Sequence, residues 1–78
     1  MESLETHFPH QIKIKARKRL EARMLAFSRN IILEYKEGVM TLKGHLPSFY
    51  HKQIAQETIR RIEGIQQIVN KIEVKEKT

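Results

Sequence analysis

The run from Ile31 to Leu46 alternates between apolar and polar residues on both sides of a short segment, Lys36-Glu37-Gly38. A period of two is typical of β-strands with one buried face, because successive side chains point to opposite faces. A glycine in the short segment supplies the positive φ that tight hairpin turns require. The sequence therefore predicts an antiparallel hairpin that reverses at Gly38.

The end of the second run is marked by three residues with different roles. Gly44 lies inside or just past the strand, where a glycine indicates a bulge or a close approach of two backbones. Pro47 ends the strand because it has no N–H for the β-ladder. Ser48 is placed to cap a following helix by accepting hydrogen bonds from its first free N–H groups.

Two segments have the apolar spacing of amphipathic helices. Between residues 10 and 27 the apolar residues form a stripe about 120° wide. These residues are Ile12, Ala16, Leu20, Met24 and Phe27. A second stripe runs through residues 49–63 and stops before Gly64, where a left-handed residue satisfies the last carbonyls of a helix. We therefore predict helices over 10–27 and 49–63.

The last alternating segment, residues 68–74, predicts a third strand with Ile68, Asn70, Ile72 and Val74 on one face. The element order is then α-β-β-α-β. A three-stranded sheet needs a cover for its apolar face, and the two helical stripes provide one. The predicted fold class is α+β, a two-layer sandwich in which a three-stranded sheet is covered on one face by two helices.

The length of 78 residues allows one domain. We expect residues 1–11 to form a flexible N-terminal tail, residues 12–75 the domain, and residues 76–78 a C-terminal tail. The chain has no cysteine, so neither disulfides nor a thiolate zinc site is expected. It has no run of about 20 apolar residues to span a membrane, and its first residues lack the pattern of a secretory signal.

The positive charge is concentrated in one segment. Residues 10–29 contain seven basic residues and one acidic residue, Glu21, an excess that equals the formal net charge of +6. The rest of the chain is balanced, so the excess forms a patch that favours polyanions. The candidate contacts in the first helix are Lys13, Lys15, Arg17, Lys18, Arg19 and Arg23. The alternative is an ordinary solvated face that keeps a small domain soluble.

These motifs resemble the BON domain, a family first described in bacterial osmotically inducible and nodulation-related proteins. One part of the resemblance is Glu37-Gly38-Val39-Met40-Thr41-Leu42-Lys43-Gly44, an acidic residue and glycine before an apolar-x-apolar strand that a glycine closes. The other part is the segment Glu63–Val74, in which Gly-Ile precedes a strand with a central asparagine. The resemblance covers about residues 14–75.

The resemblance implies a non-catalytic module that binds anionic phospholipid surfaces peripherally and supports envelope integrity or the stress response of a bacterium. It implies the periplasm or cell envelope as the location, while the missing signal pattern leaves the cytoplasm open. The characteristic positions of the family map onto Gly38, Gly44, Gly64 and Asn70. We interpret all four as structural, because backbone geometry explains them better than ligand contact. Ile14 and Leu25, off the buried stripe, are candidate apolar contacts of an interfacial helix.

Two other classes of function stay open. A protein-interaction module would pair with another protein or domain, or with a second copy, through an exposed sheet edge, and we expect a monomer or weak homo-oligomer. A small basic nucleic-acid-binding domain is disfavoured because few aromatic residues are present to stack on bases. No cofactor or metal is predicted, since the four histidines lack partners at ligand spacing. Ser48 and His51 fit a helix cap better than a nucleophile and base, so no enzyme is predicted.

Overall fold

A computed structural model describes residues 8–75, in which two helices pack on one face of a mixed sheet. The helices are α1 (Pro9–Ser28) and α2 (Phe49–Ile59). The strands are β1 (Ile31–Lys36), β2 (Val39–Leu46), β3 (Gln67–Asn70) and β4 (Glu73–Val74). The predicted α+β sandwich with the order α-β-β-α-β is confirmed, although its last strand is divided in two.

The predicted hairpin joins β1 to β2. The two strands pair antiparallel, and Lys36 faces Val39 at the turn. Only Glu37 and Gly38 lie between them, with φ angles of 49° and 85°. Positive φ at both central residues is typical of the tight turn that matches the twist of a hairpin. Gly38 therefore makes the reversal, as the sequence predicts.

β2 lies at the centre of the sheet, antiparallel to β1 on one side and parallel to β3 and β4 on the other. The prediction of one continuous third strand is wrong, because the ladder stops after Asn70 and resumes at Glu73. The Asn70 Oδ1 atom accepts a hydrogen bond from the N–H of Ile72, 3.2 Å away. The N–H groups of Lys71 and Lys75 donate to β2, so that of Ile72 points to the other side of the strand, where the Asn70 side chain accepts it.

α1 begins at Pro9, where a missing N–H costs nothing because the first turn of a helix leaves its N–H groups unpaired. Residues 9–11 therefore belong to the helix and not to the predicted tail. Phe8 precedes the helix as its N-cap residue, and its carbonyl accepts from the N–H groups of Gln11 and Ile12. Residues 1–7 and 76–78 of the two predicted tails lie outside the described part of the chain. Near its end the helix is kinked at Met24, whose φ of −145° and ψ of 61° are not helical.

α2 is shorter than predicted. Ser48 caps its start, since the side-chain Oγ accepts from the N–H of His51 at 3.2 Å. The helix ends at Ile59, four residues before the predicted end at Glu63. Tighter turns follow, in which the N–H of Ile62 donates to Ile59 and the N–H of Ile65 donates to Ile62. Gly64 has a φ of 100° within these turns and does not directly end the helix.

The core lies between the helices and the sheet. Both helices, β1 and β2 contribute side chains that are less than a tenth exposed, and so do the segments after α2 and between β3 and β4. The core residues are Ile12, Ala16, Leu20, Met24, Ile31, Leu33, Met40, Leu42, Leu46, Ala55, Ile59, Ile62 and Ile72. α1 lies over β1, and α2 lies over the parallel side of the sheet. In residues 8–75 no helix lies on the second face of the sheet. α1 packs against β1 and α2 along one of its sides, so its other long side faces outward.

Candidate functional site

The cations of α1 lie on its outward surface. Five of the six predicted contacts are exposed, namely Lys13, Lys15, Lys18, Arg19 and Arg23. Lys15, Arg19 and Arg23 follow each other at intervals of four residues and so form a row with about 6 Å per step. Lys13 and Lys18 lie toward β1, where both line a groove with residues of that strand. The helix thus presents positive charge along most of its length.

No neighbouring carboxylate neutralises this surface in the part of the chain that the structure describes. The ion pairs there join Lys43 to Glu34 on the sheet, Arg60 to Glu57 after α2, and Lys75 to Glu73. None of them includes a cation of α1. Glu21 is the one acidic residue of the helix. We call the five exposed cations, residues 13, 15, 18, 19 and 23, the cationic face.

Arg17 differs from the other predicted contacts. Its guanidinium donates to the backbone oxygen of Ser28 at 2.6 Å and to that of Ile31 at 2.7 Å. The fork-shaped guanidinium reaches both carbonyls at once. The negative end of the α1 dipole also stabilises a cation at this position. The structure therefore places Arg17 within the connection between α1 and β1, where it fixes the helix on the sheet.

An open groove runs between α1 and the edge strand β1. It has a volume of about 660 Å³ and is lined by Lys13, Ile14 and Lys18 from the helix and by Arg29 and Ile32 from the other side, among others. Ile14 is 40% exposed and Ile32 is 54% exposed. The groove thus combines cations with apolar surface, and it is too open to enclose a small molecule.

Three of the four predicted structural positions are glycines with positive φ. A Cβ on Gly44 would lie 1.9 Å from the backbone oxygen of Asn30, so the expected close approach of backbones is present. The carbonyl of Gly64 accepts a hydrogen bond from the Tyr35 hydroxyl, which ties the turn after α2 to β1. All three glycines thus have a left-handed backbone conformation, and those at 44 and 64 also contact the backbone or side chain of another element.

Asn70 makes three hydrogen bonds. Its Nδ2 donates to the backbone oxygen of Lys52 at 3.1 Å and to Oε1 of Gln56 at 3.2 Å, both on α2. Its Oδ1 accepts from Ile72 on the strand side. The amide therefore joins α2 to the break between β3 and β4, and none of its three bonds is directed at an outside ligand.

The polar groups considered for a catalytic or a metal site in the sequence have the following places in residues 8–75. Ser48 Oγ lies 2.7 Å from Nδ1 of His51, but the imidazole is packed edge-on against the rings of Phe27 and Tyr50 and not against a carboxylate. No group of three histidine or acidic side chains is placed to hold a metal ion in the described region. Neither described helix is long and apolar enough to cross a membrane.

Sequence reasoning missed two features of this surface. Arg17 has the same appearance in the sequence as its basic neighbours, so only its contacts distinguish it. The sequence patterns also did not indicate Phe49 and Tyr50, which are 65% and 69% exposed at the start of α2. The sequence signal that could have found them is an aromatic pair directly after the capping Ser48. Side chains in the first turn of a helix have few core contacts, so such a pair is expected to be exposed.

Comparison with known proteins agrees with the geometry. The model of the BON domain family matches residues 10–76 of the 78. The resemblance that was drawn from the glycines and Asn70 is thereby confirmed. A search of the curated proteins gives no match to this chain.

Proposed function

Since the chain belongs to the BON domain family, which is generally non-catalytic and associated with phospholipid binding, we propose that it binds anionic phospholipid surfaces through the cationic face of α1. The observation that carries this proposal is the set of five exposed cations on one helix without a carboxylate partner in the described residues. Arg17 is not part of the binding surface, because its donors are used within the fold.

The number of cations is sufficient for reversible binding. Each Lys or Arg near an anionic leaflet contributes about 1 kcal/mol. Five such contacts would therefore hold the protein at a charged membrane, and added salt would release it because the Debye length shortens. This is the behaviour expected of a peripheral protein.

The fold supports a parallel arrangement of α1 on a surface. Ile12, Ala16 and Leu20 hold the helix against the sheet along its length, so the opposite side stays accessible from end to end. A rigid helix of this kind loses little conformational freedom on binding. The charge is then presented to several headgroups at once.

Vesicle flotation tests the proposal with two matched variants. The first reverses Lys15, Lys18 and Arg19 to Glu, and the control reverses Lys36, Arg61 and Lys71 to Glu. Each removes six units of charge and lowers the formal net charge from +6 to zero. All six residues are exposed, so both variants should fold.

We expect the wild type and the control to float with phosphatidylglycerol vesicles and not with phosphatidylcholine vesicles. The α1 variant should remain with the unbound protein. Equal flotation of the two variants would show that net charge, and not the cationic face, determines binding, and the proposal would then be abandoned.

Two alternatives are tested by the same preparations. Nucleic acid would also be attracted by this charge, so DNA that competes better than anionic vesicles would favour the nucleic-acid alternative. Pairing through β1, whose outer edge has no partner strand in the described residues, would increase the mass measured by light scattering at higher concentration. We expect a monomer at micromolar concentration.

We further propose that lipid binding supports the integrity of a bacterial envelope, the role that the family resemblance implies. Deletion of the gene should then make its native host more sensitive to detergents, and the α1 charge-reversed variant should fail to restore resistance. Full restoration by that variant would separate the envelope role from the cationic face.

A further inference from the structure

Three large apolar side chains are exposed where α1 ends and α2 begins. Leu25 is 72% exposed, Tyr50 is 69% exposed and Phe49 is 65% exposed, the three highest values among the large apolar residues that the structure describes. Single exposed apolar residues are common and require no explanation. A cluster of them at one end of a small domain marks a contact surface. We call these three residues the apolar patch.

Two members of the apolar patch, Leu25 and Tyr50, lie on packed side chains of the fold. Leu25 and Tyr50 line one groove of about 320 Å³ with Phe27 and His51. The rings of Phe27 and His51 are 4.7 Å apart between centroids, and those of Tyr50 and His51 are 5.8 Å apart. His51 is itself fixed by its contact with Ser48. The Tyr50 ring is therefore backed by neighbouring side chains, and Phe49 precedes it in the first turn of α2.

The surroundings of the apolar patch are positively charged. Arg23 of the cationic face lines the same groove as Leu25 and Tyr50, and no acidic residue lines it. A neighbouring depression beside Leu25 contains Arg17 and Arg29 together with Glu21. The patch is thus continuous with the row of Lys15, Arg19 and Arg23. Its charge favours an anionic partner with an apolar component.

In an anionic bilayer the negative headgroups and the apolar acyl chains lie within a few ångströms of each other in depth. Tyrosine suits the headgroup level because its ring is apolar and its hydroxyl stays hydrated. Leucine and phenylalanine suit the boundary with the acyl chains. Single-stranded nucleic acid would also stack on Phe49 and Tyr50, but Leu25, the most exposed of the three, has no face for stacking.

We propose that Leu25, Phe49 and Tyr50 enter the interfacial region of the anionic bilayer that the cationic face attracts. The inference rests on the proposed function and extends it, because it determines which end of α1 lies deeper in the bilayer. α1 lies along the surface with its C-terminal end and the start of α2 deeper than its N-terminal end, and the hairpin turn at Glu37–Gly38 is held farther from the acyl chains.

A single tryptophan reporter tests this orientation, because the chain has no tryptophan of its own. Tyr50→Trp places the reporter in the apolar patch. Gln67→Trp is the control, since Gln67 is exposed and lies on β3 opposite Val39 at the hairpin end. With phosphatidylglycerol vesicles, we expect a blue-shifted emission and strong quenching by brominated lipids for Tyr50→Trp, and neither for Gln67→Trp. Equal responses of the two reporters on bound vesicles would overturn the inference.

The salt dependence of binding provides a second test. Phe49→Ser combined with Tyr50→Ser removes apolar contact but no charge. We expect the affinity of this double variant for phosphatidylglycerol vesicles to fall by about tenfold, and the loss to persist in high salt where electrostatic attraction is screened. Circular dichroism of the free variant checks that it is folded.

The outcomes separate the two proposals. If the wild type does not bind anionic vesicles at low salt, the proposed function fails. If the wild type binds and the double variant binds equally well at both salt concentrations, only the apolar patch is wrong. If the double variant loses affinity for a single-stranded oligonucleotide and not for vesicles, the patch is a nucleic-acid surface and the inference is overturned.

Discussion

At Gly44 the backbone of β2 passes so close to Asn30 that no side chain fits. An added Cβ would lie 1.9 Å from the Asn30 oxygen, and the φ of 112° is one that other residues rarely adopt. The obstacle is backbone, so it has little freedom to move away. Gly38 differs, because a Cβ there would meet only the flexible side chain of Gln66, at 3.1 Å.

We expect Gly44→Ala to be far more destabilising than Gly38→Ala. Gly38→Ala should cost about 1–2 kcal/mol, because alanine is strained in the left-handed conformation. Gly44→Ala should cost more than about 3 kcal/mol, because the backbones of β2 and Asn30 must also separate. Urea unfolding monitored by circular dichroism measures both. Equal losses of unfolding free energy would contradict the close approach at Gly44.

Arg17 separates the structural and the binding roles of the basic residues in α1. Its two donors hold the carbonyls of Ser28 and Ile31, whereas Lys15 is exposed on the cationic face. The substitutions Arg17→Gln and Lys15→Gln remove the same charge. Arg17→Gln also removes the two hydrogen bonds to these carbonyls.

Arg17→Gln should lower the free energy of unfolding by about 1–3 kcal/mol, because the partly buried carbonyls of Ser28 and Ile31 lose their charged hydrogen-bond donor. Lys15→Gln should change stability by less than about 0.5 kcal/mol and should weaken vesicle binding more than Arg17→Gln does. Thermal unfolding and vesicle flotation of the two variants provide the comparison. A larger loss of binding in Arg17→Gln, at a temperature where it is folded, would return Arg17 to the lipid-binding surface.

At the scale of the elements, Asn70 connects α2 to the broken third strand. The ladder on each side of the break keeps one register, with Leu42 opposite Asn70 and His45 opposite Glu73. The asparagine thus interrupts the strand without shifting it. Its amide contacts Lys52 and Gln56 on the helix and Ile72 on the strand.

Asn70→Ala should destabilise the protein by about 2–3 kcal/mol, because three partly buried hydrogen bonds of about 1 kcal/mol each are lost. Gln56→Ala is the control, since it removes one of the three bonds and should cost about 1 kcal/mol or less. Denaturant titration gives both values. A loss for Asn70→Ala no greater than that of the control would show that the amide does not hold the two elements together.

The sequence predicted the elements well and their ends less well, for physical reasons. Hydrophobic spacing locates α1, the hairpin and the start of α2, because the buried face of a helix or strand needs apolar residues at the repeat of that element. It does not show that α2 stops at Ile59, since Ile62 is buried whether the chain continues as a helix or turns. The kink at Met24 could not be predicted either, because no proline or glycine lies next to it. The role of Arg17 depends on contacts between elements, which a linear pattern does not contain.

At the scale of the whole molecule, charge and apolar exposure are distributed unevenly. The cationic face and the apolar patch share α1 and its junction with α2, while the ion pairs on the sheet and after α2 lie elsewhere. The long contact of α1 with β1 and α2 makes this surface a fixed part of the domain. One side of the molecule therefore combines the cationic face with the apolar patch, and this is the side proposed to bind an anionic membrane.

Amide NMR spectra of the protein with nanodiscs containing phosphatidylglycerol test this distribution residue by residue. We predict that signals of residues 13–25 and 49–52 shift or broaden, while those of residues 34–41 in the hairpin and 66–70 in β3 stay unchanged. Perturbation confined to the hairpin and β3, or spread evenly over the domain, would contradict the assignment of α1 as the membrane-binding element.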